Sequence, residues 1–276
     1  MRSVTFLTLM LVAAPPTRAP IDPPCGDAEA GQPGCMVAVP GGSFLRGAQS
    51  TDPEAPGFDP DARVDEGPPG RVRVSPFETH RDEVRVWQYE RCLDAGRCSE
   101  KHVRTGGPYD TVGRGDRANH PATSVSWFGA REYCAWIGGR LPTEAEWEWA
   151  ARGPAAHRWP WGTPRVTCAM AVFGGRGCSD GSTDEARMSG RSRYGIQHLA
   201  GNVWEWTADW YRPDAYTKAR AGDPRGPRRG RRRVVRGGSW NDRDPSELRA
   251  SARAAYPPDR RSVSGGFRCV RSRPTQ

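Results

Sequence analysis

Eight cysteines, at positions 25, 35, 92, 98, 134, 168, 178 and 269, constrain this chain more than any other feature. Three pairs are local. CGDAEAGQPGC carries Cys25 and Cys35, CLDAGRC carries Cys92 and Cys98, and CAMAVFGGRGC carries Cys168 and Cys178. Each span contains a glycine able to turn the chain and bring its ends together. Cys134 and Cys269 are then left for each other across a long loop. The even count favours four disulfides. A cross-link over so long a loop restricts the unfolded chain by on the order of 4–5 kcal/mol in the entropy model. Zinc binding is the rival use of these cysteines, but the sequence has no C-x2-C pair.

The rest of the composition agrees with a stapled, loop-rich domain. Only 36% of the 276 residues are hydrophobic, yet there are 11 Trp. A core built on large aromatic rings is expected. The 33 Gly and 26 Pro point to many turns and little regular structure. Aromatic residues run the whole length, which argues against disorder.

The chain carries a net charge of +9, and Lys101 and Lys218 are its only lysines. This arginine bias has a plain reading, a GC-rich coding preference, and a functional one, an anionic partner. The densest run, DPRGPRRGRRRVVR, carries its arginines from Arg225 to Arg236 and could meet a polyanionic glycan or nucleic acid by counterion release. No nucleic-acid-binding motif surrounds it, so no specific nucleic-acid partner is expected. Its Gly and Pro residues read as an exposed loop leading into a strand, VVRGG.

The first residues, MRSVTFLTLMLVAAPPTRAP, hold one early Arg and an apolar run from Val4 to Ala14. That run is too short to span a bilayer and suits a signal-peptide core. Residues 1–19 are expected to be an export signal, 20–35 a short N-terminal segment and 36–272 one domain. The mature chain would then be periplasmic or extracellular, without a membrane anchor, where disulfides persist.

Local patterns give an α+β reading. MVAVPGGSFLRG suggests a strand, a turn and a second strand, and RVRVSPFETH alternates like a strand. DEVRVWQYERCLDAG has Val86, Tyr89 and Leu93 at helical spacing, with Gly96 as a stop. In SVSWFGAREYCAWIGGR, Ser126 is placed to cap a helix. Its apolar face would be Trp127, Ala130, Tyr133, Cys134 and Ile137. In LPTEAEWEWAARG, Thr143 and Glu146 form a capping box, Gly153 is the stop, and Trp147, Ala150 and Ala151 face inward.

Chemistry-bearing motifs are sparse. His80-Arg81-Asp82 has the H-x-D spacing of an iron facial triad, but no second histidine stands at a motif distance, so iron is not supported. The GxSxG, zinc-protease and P-loop patterns are absent. AGNVWEW sets the Glu205 carboxylate beside peptide carbonyls in a Gly-Asn turn, a calcium-like arrangement. A glutamate between two tryptophans is also commonly a satisfied buried acid.

Taken in order, GGSFLRG, EVRVWQYERC, HPATSVSW, AREYCAWIGGRLPTEAEWEWAARG, WPWG, YGIQHLAGNVWEWTADWY, VVRGGSW and GGFRCVR resemble the formylglycine-generating enzyme (sulfatase-modifying factor) family over about residues 36–272. The resemblance implies a C-type-lectin-like fold with sparse secondary structure. It also implies that Cys134 pairs with Cys269. In oxidising members of the family, the segment after GGS carries two cysteines that bind copper and convert a substrate cysteine to formylglycine. Here that segment reads WNDRDPSELRASAR, without either cysteine. Asn, Asp and Ser cannot stand in for thiolates on soft Cu(I), so copper is not expected. Ser239 matches the serine of GGS and Trp204 the family's pocket tryptophan. With Trp240 and Asn241 they are the candidate pocket residues.

The resemblance leaves calcium as the one open cofactor. Gly201, Val203 and Glu205 match one of the family's calcium sites, with His198 where Asp or Asn is usual. At the other site Val172 replaces an Asn.

Three functions compete at this point. The favoured one is a ligand- or protein-binding module or regulator, a monomer whose partner is a peptide, a protein or an anionic glycan. The alternative is an enzyme with different oxidative chemistry, such as that of the family's iron-dependent sulfoxide synthases. The last is a formylglycine-generating oxidase using another cysteine pair, for which Cys168 and Cys178 are the candidates.

Overall fold

A computed structural model describes residues 35–162, 165–179, 181–184, 190–218 and 220–273. The expected signal segment and Cys25 lie outside them. Among the described residues there are nine short strands and three α-helices joined by long loops.

The first two strands, β1 (Met36–Val39) and β2 (Gly42–Arg46), do follow a tight turn. They do not pair with each other. β1 runs antiparallel to β4 (Phe77–His80), and β2 to β3 (Gly70–Val74). The alternating RVRVSPFETH segment is thus two strands in two sheets, broken at Ser75-Pro76. Proline has no N–H to give a ladder, so the break falls there. β9 (Val270–Ser272) completes the β1–β4 sheet. The third sheet has the order β7-β6-β5-β8, with β5 (Trp204–Trp210), β6 (Arg233–Arg236), β7 (Ala254–Tyr256) and β8 (Gly265–Gly266).

α2 and α3 begin where their caps predict, and α1 where its apolar spacing does. α1 covers Val86–Asp94, and Gly96 takes the left-handed conformation after it. α2 covers Trp127–Trp136, with the Ser126 hydroxyl accepting from the Gly129 N–H. α3 covers Glu144–Arg152, with the reciprocal Thr143–Glu146 box in place and Gly153 at its end. Trp127, Ala130, Tyr133, Cys134 and Ile137 are all buried, as are Trp147, Ala150 and Ala151. Seven of the 11 Trp are buried, so the core is indeed aromatic.

α3 departs from an ordinary amphipathic helix. Every one of its residues is buried, including Glu144, Glu146, Glu148 and Arg152. Buried carboxylates require partners. Glu144 has Arg46 at 2.9 Å and Arg253 at 2.6 Å, and Glu148 has Arg236 at 2.8 Å and Arg152 at 2.9 Å. Tyr216 donates to Glu148 at 3.1 Å. Burial by itself would raise the Glu144 carboxyl. The guanidiniums of Arg253, Arg46 and Arg236 overcome it and pull the group down to about 2.

Three disulfides are formed: Cys92–Cys98, Cys134–Cys269 and Cys168–Cys178. Cys35 is also a disulfide cysteine. The expected Cys25–Cys35 pairing involves a residue outside the described set. Cys134–Cys269 joins α2 to the strand end at the C-terminus across 135 residues. It is therefore the cross-link that restricts the unfolded chain most. No helix among the described residues is long and apolar enough to cross a membrane.

Candidate functional site

The candidate pocket residues come together at one end of β5 and β6. Gly237 and Gly238 both have positive φ, at 99° and 74°. A Cβ on Gly238 would stand 2.9 Å from the Leu248 side chain. Only glycine fits this turn, and the turn brings Ser239 and Trp240 beside the start of β5. The Trp240 N–H donates to the Asn202 carbonyl at 2.8 Å, and its indole N–H to the Val263 carbonyl at 3.3 Å. Trp204 and Ser239 are buried, and Asn241 is exposed at the rim.

Asp242, which sequence reasoning did not single out, is the centre of the polar contacts. The Ser239 hydroxyl donates to its carboxylate at 2.7 Å, and Trp204 adds a side-chain hydrogen bond. Burial nevertheless pushes this carboxyl above its ordinary range, with the charge of Glu247 adding. Glu247 itself is held by Arg63 through two bonds of 2.8 and 2.9 Å. Tyr256 lies close enough to feel both acids. Burial raises its hydroxyl, the Arg260 guanidinium opposes, and Asp242 and Glu247 raise it further. Arg260 lies 4.3 Å over the Tyr256 ring.

Exposed Tyr109 completes the surface, with its ring 5.7 Å from that of Trp240. The spacing of Asp242 three residues after Ser239 could have flagged their bond. Tyr109 comes from a distant loop, and no local signal marks it.

A second loop braces this segment from behind. The N–H groups of Gly174 and Gly175 donate to the carbonyls of Asp242 and Trp240 at 2.8 and 2.7 Å. Both glycines lie within the loop closed by Cys168–Cys178. These two cysteines, the remaining candidates for a copper pair, are therefore bonded to each other. Among the described residues no cysteine is a free thiol.

The calcium-like turn is next door, and its one carboxylate is already engaged. Glu205 is fully buried and receives Arg268 through bonds of 2.7 and 2.6 Å and the Trp147 indole N–H at 2.8 Å. His198 supplies nitrogen where calcium prefers oxygen, and burial holds its imidazole down to about 4. Gly201 is held by its N–H to the Gly237 carbonyl, and the Val172 carbonyl accepts from Asn202. A carboxylate neutralised by a buried guanidinium does not fit a divalent cation. His80 and Asp82 do not open onto a shared site either. The His80 Nδ1 accepts from the Cys269 N–H, and Asp82 pairs with Arg81 and Arg85. Among the described residues no group of three or more His, Cys, Asp or Glu side chains could hold a metal.

A loop-rich α+β frame with a C-type-lectin-like plan and a GGS turn at the mouth of its third sheet defines the class. The chain belongs to the sulfatase-modifying factor enzyme 1-like domain family, whose pattern matches residues 25–273. It is 37% identical to the formylglycine-generating enzyme of Thermomonospora curvata, across 85% of this chain and 92% of that one. It is 32% identical to the hercynine oxygenase of Mycolicibacterium smegmatis, across 87% of this chain but only 62% of that protein. Among solved structures it is similar to PvdO from Pseudomonas aeruginosa, with a TM-score of 0.71 and 25% identity, covering 86% of this chain and 94% of that one.

Proposed function

We propose that this protein is an exported binding domain of its family that retains Trp204, Ser239 and Trp240 at the family's site and does not carry the copper oxidase centre. One observation carries the reading. Every described cysteine is in a disulfide, and the segment after Ser239 offers Asn241 and Asp242 where a thiolate pair would be needed. A carboxyl group set among Trp204, Trp240, Tyr109 and Tyr256 suits recognition of a peptide side chain by hydrogen bonding and ring contact. Export is supported by the three disulfides and by the apolar run near the start of the chain.

The test is calorimetry with a pair of sulfatase-type peptides that differ only in Cys or Ser at the reactive position. The reading expects both to bind equally, and Trp240→Ala to weaken both by about tenfold, the scale of a buried aromatic contact. Tight binding of the Cys peptide alone would point back to thiol chemistry and overturn it, as would no binding of either.

A second reading, an enzyme with other oxidative chemistry, is favoured by the 32% identity with hercynine oxygenase. Asp242 and Tyr256 would be its proton-handling groups, both raised by burial. Oxygen consumption by the purified protein with a small thiol, lost in Tyr256→Phe, would select it over the first.

A further inference from the structure

The other end of β5 carries a concave site. β5 has Trp204 at its start and Trp210 at its end, which puts the two places about 20 Å apart at the usual strand rise. The cleft there has a volume of about 770 Å³. Arg220, Arg225, Arg228 and Arg233 line it, with Trp210 and Thr143.

The four arginines divide sharply. Arg233 is fixed, with its guanidinium 3.8 Å over the Trp127 ring and 3.5 Å over the Trp210 ring, and it donates to the Ala208 carbonyl at 2.6 Å. Arg220, Arg225 and Arg228 are exposed and make no hydrogen bond or ion pair among the described residues. Among the described residues the two aspartates of the cleft form no ion pair with these three arginines. Asp209 accepts from the backbone N–H groups of Glu144 and Gly226. Asp223 accepts from the N–H and hydroxyl of Ser75, at 2.7 and 2.8 Å.

The loop that bears Arg225 and Arg228 is anchored rather than free. A Cβ on Gly226 would lie 2.9 Å from the Asp209 Cβ and from the Trp210 carbonyl. One on Gly230 would lie 3.0 Å from the Trp210 Cβ. Arg220 reaches the same cleft from a separate segment.

We propose that this cleft binds a ligand carrying two or more sulfate or phosphate groups. Three exposed guanidiniums from two segments, without ion pairs among the described residues, line one concavity. Each can grip an oxyanion through two parallel bonds, and the volume suits a saccharide-sized molecule. A nucleic-acid duplex would instead call for a stripe of cations along an open face.

Calorimetry on the full chain at low salt would use a disulfated disaccharide and fructose bisphosphate as probes, which separate a sulfated from a phosphorylated source. The proposal expects one-to-one binding of at least one probe, weakened about tenfold or more by Arg225→Ala with Arg228→Ala, as expected for loss of charged hydrogen bonds. Arg91→Ala with Arg97→Ala removes the same charge from α1 and the turn after it, outside the cleft lining, and should leave the affinity unchanged. Circular dichroism melts of both variants would check that they fold. Failure of both probes to bind, or equal weakening by the two double variants, would overturn the site. So would a DNA duplex that binds more tightly than either probe.

Discussion

Arg236 and Arg228 come from the same basic run and behave in opposite ways. Arg236 has no solvent exposure and donates to Glu148 at 2.8 Å and to the carbonyls of Ala250 and Ser251 at 2.7 and 2.8 Å. Arg228 is exposed and makes no such bond among the described residues. Between them Arg233 is held between two tryptophan rings. A charge run in a sequence is thus several populations in the molecule. Those whose side chains meet α3 build the core, and those on the anchored loop are left for a partner. Arg268 with Glu205 and Arg249 with Glu66 are likewise buried ion pairs, though with carboxylates outside α3.

The largest test of this contrast is removal of a buried guanidinium. Arg253→Ala should lower stability by about 3–5 kcal/mol in urea denaturation, because Glu144 is left charged and buried with fewer partners. A loss under 1 kcal/mol would place Arg253 with the surface group.

Acid should find the same network. The Glu144 carboxyl is depressed in the folded state to about 2. Its contribution is therefore complete above the ordinary glutamate range near pH 4.5 and is lost as the pH falls toward 2. That loss is on the order of 3 kcal/mol by linkage. Urea midpoints measured between pH 6 and pH 2 should fall accordingly, and less steeply in Arg253→Ala.

Smaller effects sharpen the loop side of the comparison. Gly226→Ala should cost about 1–3 kcal/mol, since its methyl group meets backbone and the Asp209 side chain. Arg225→Ala with Arg228→Ala should change stability by no more than about 0.5 kcal/mol, as ordinary surface substitutions do. Chelation by EDTA should leave the Tm unchanged, since Arg268 already neutralises Glu205. A clear fall would return calcium to that turn.

Features set by neighbours in the chain were readable in the sequence. The caps at Ser126 and Thr143, the stop at Gly153 and the short disulfides Cys92–Cys98 and Cys168–Cys178 all depend on residues a few positions apart. The fold class followed from matched motifs along the chain. The pairing of β1 with β4 rather than β2 did not, because period-two patterns carry no partner information. Nor did the interior charge network, in which Arg46 meets Glu144 from 98 residues away. At the candidate site, Trp204, Ser239 and Trp240 stood out by resemblance. Asp242 and Tyr109 acquire their meaning only from packing.

The most direct test of the account is an oxidation assay on the purified protein with Cu(I), oxygen, a reductant and a cysteine-bearing sulfatase peptide, read by mass spectrometry. The account predicts that the peptide thiol stays intact while the protein remains folded. Conversion of thiol to aldehyde above a protein-free control would contradict it, and would mean that a cysteine pair seen here as a disulfide opens to hold copper.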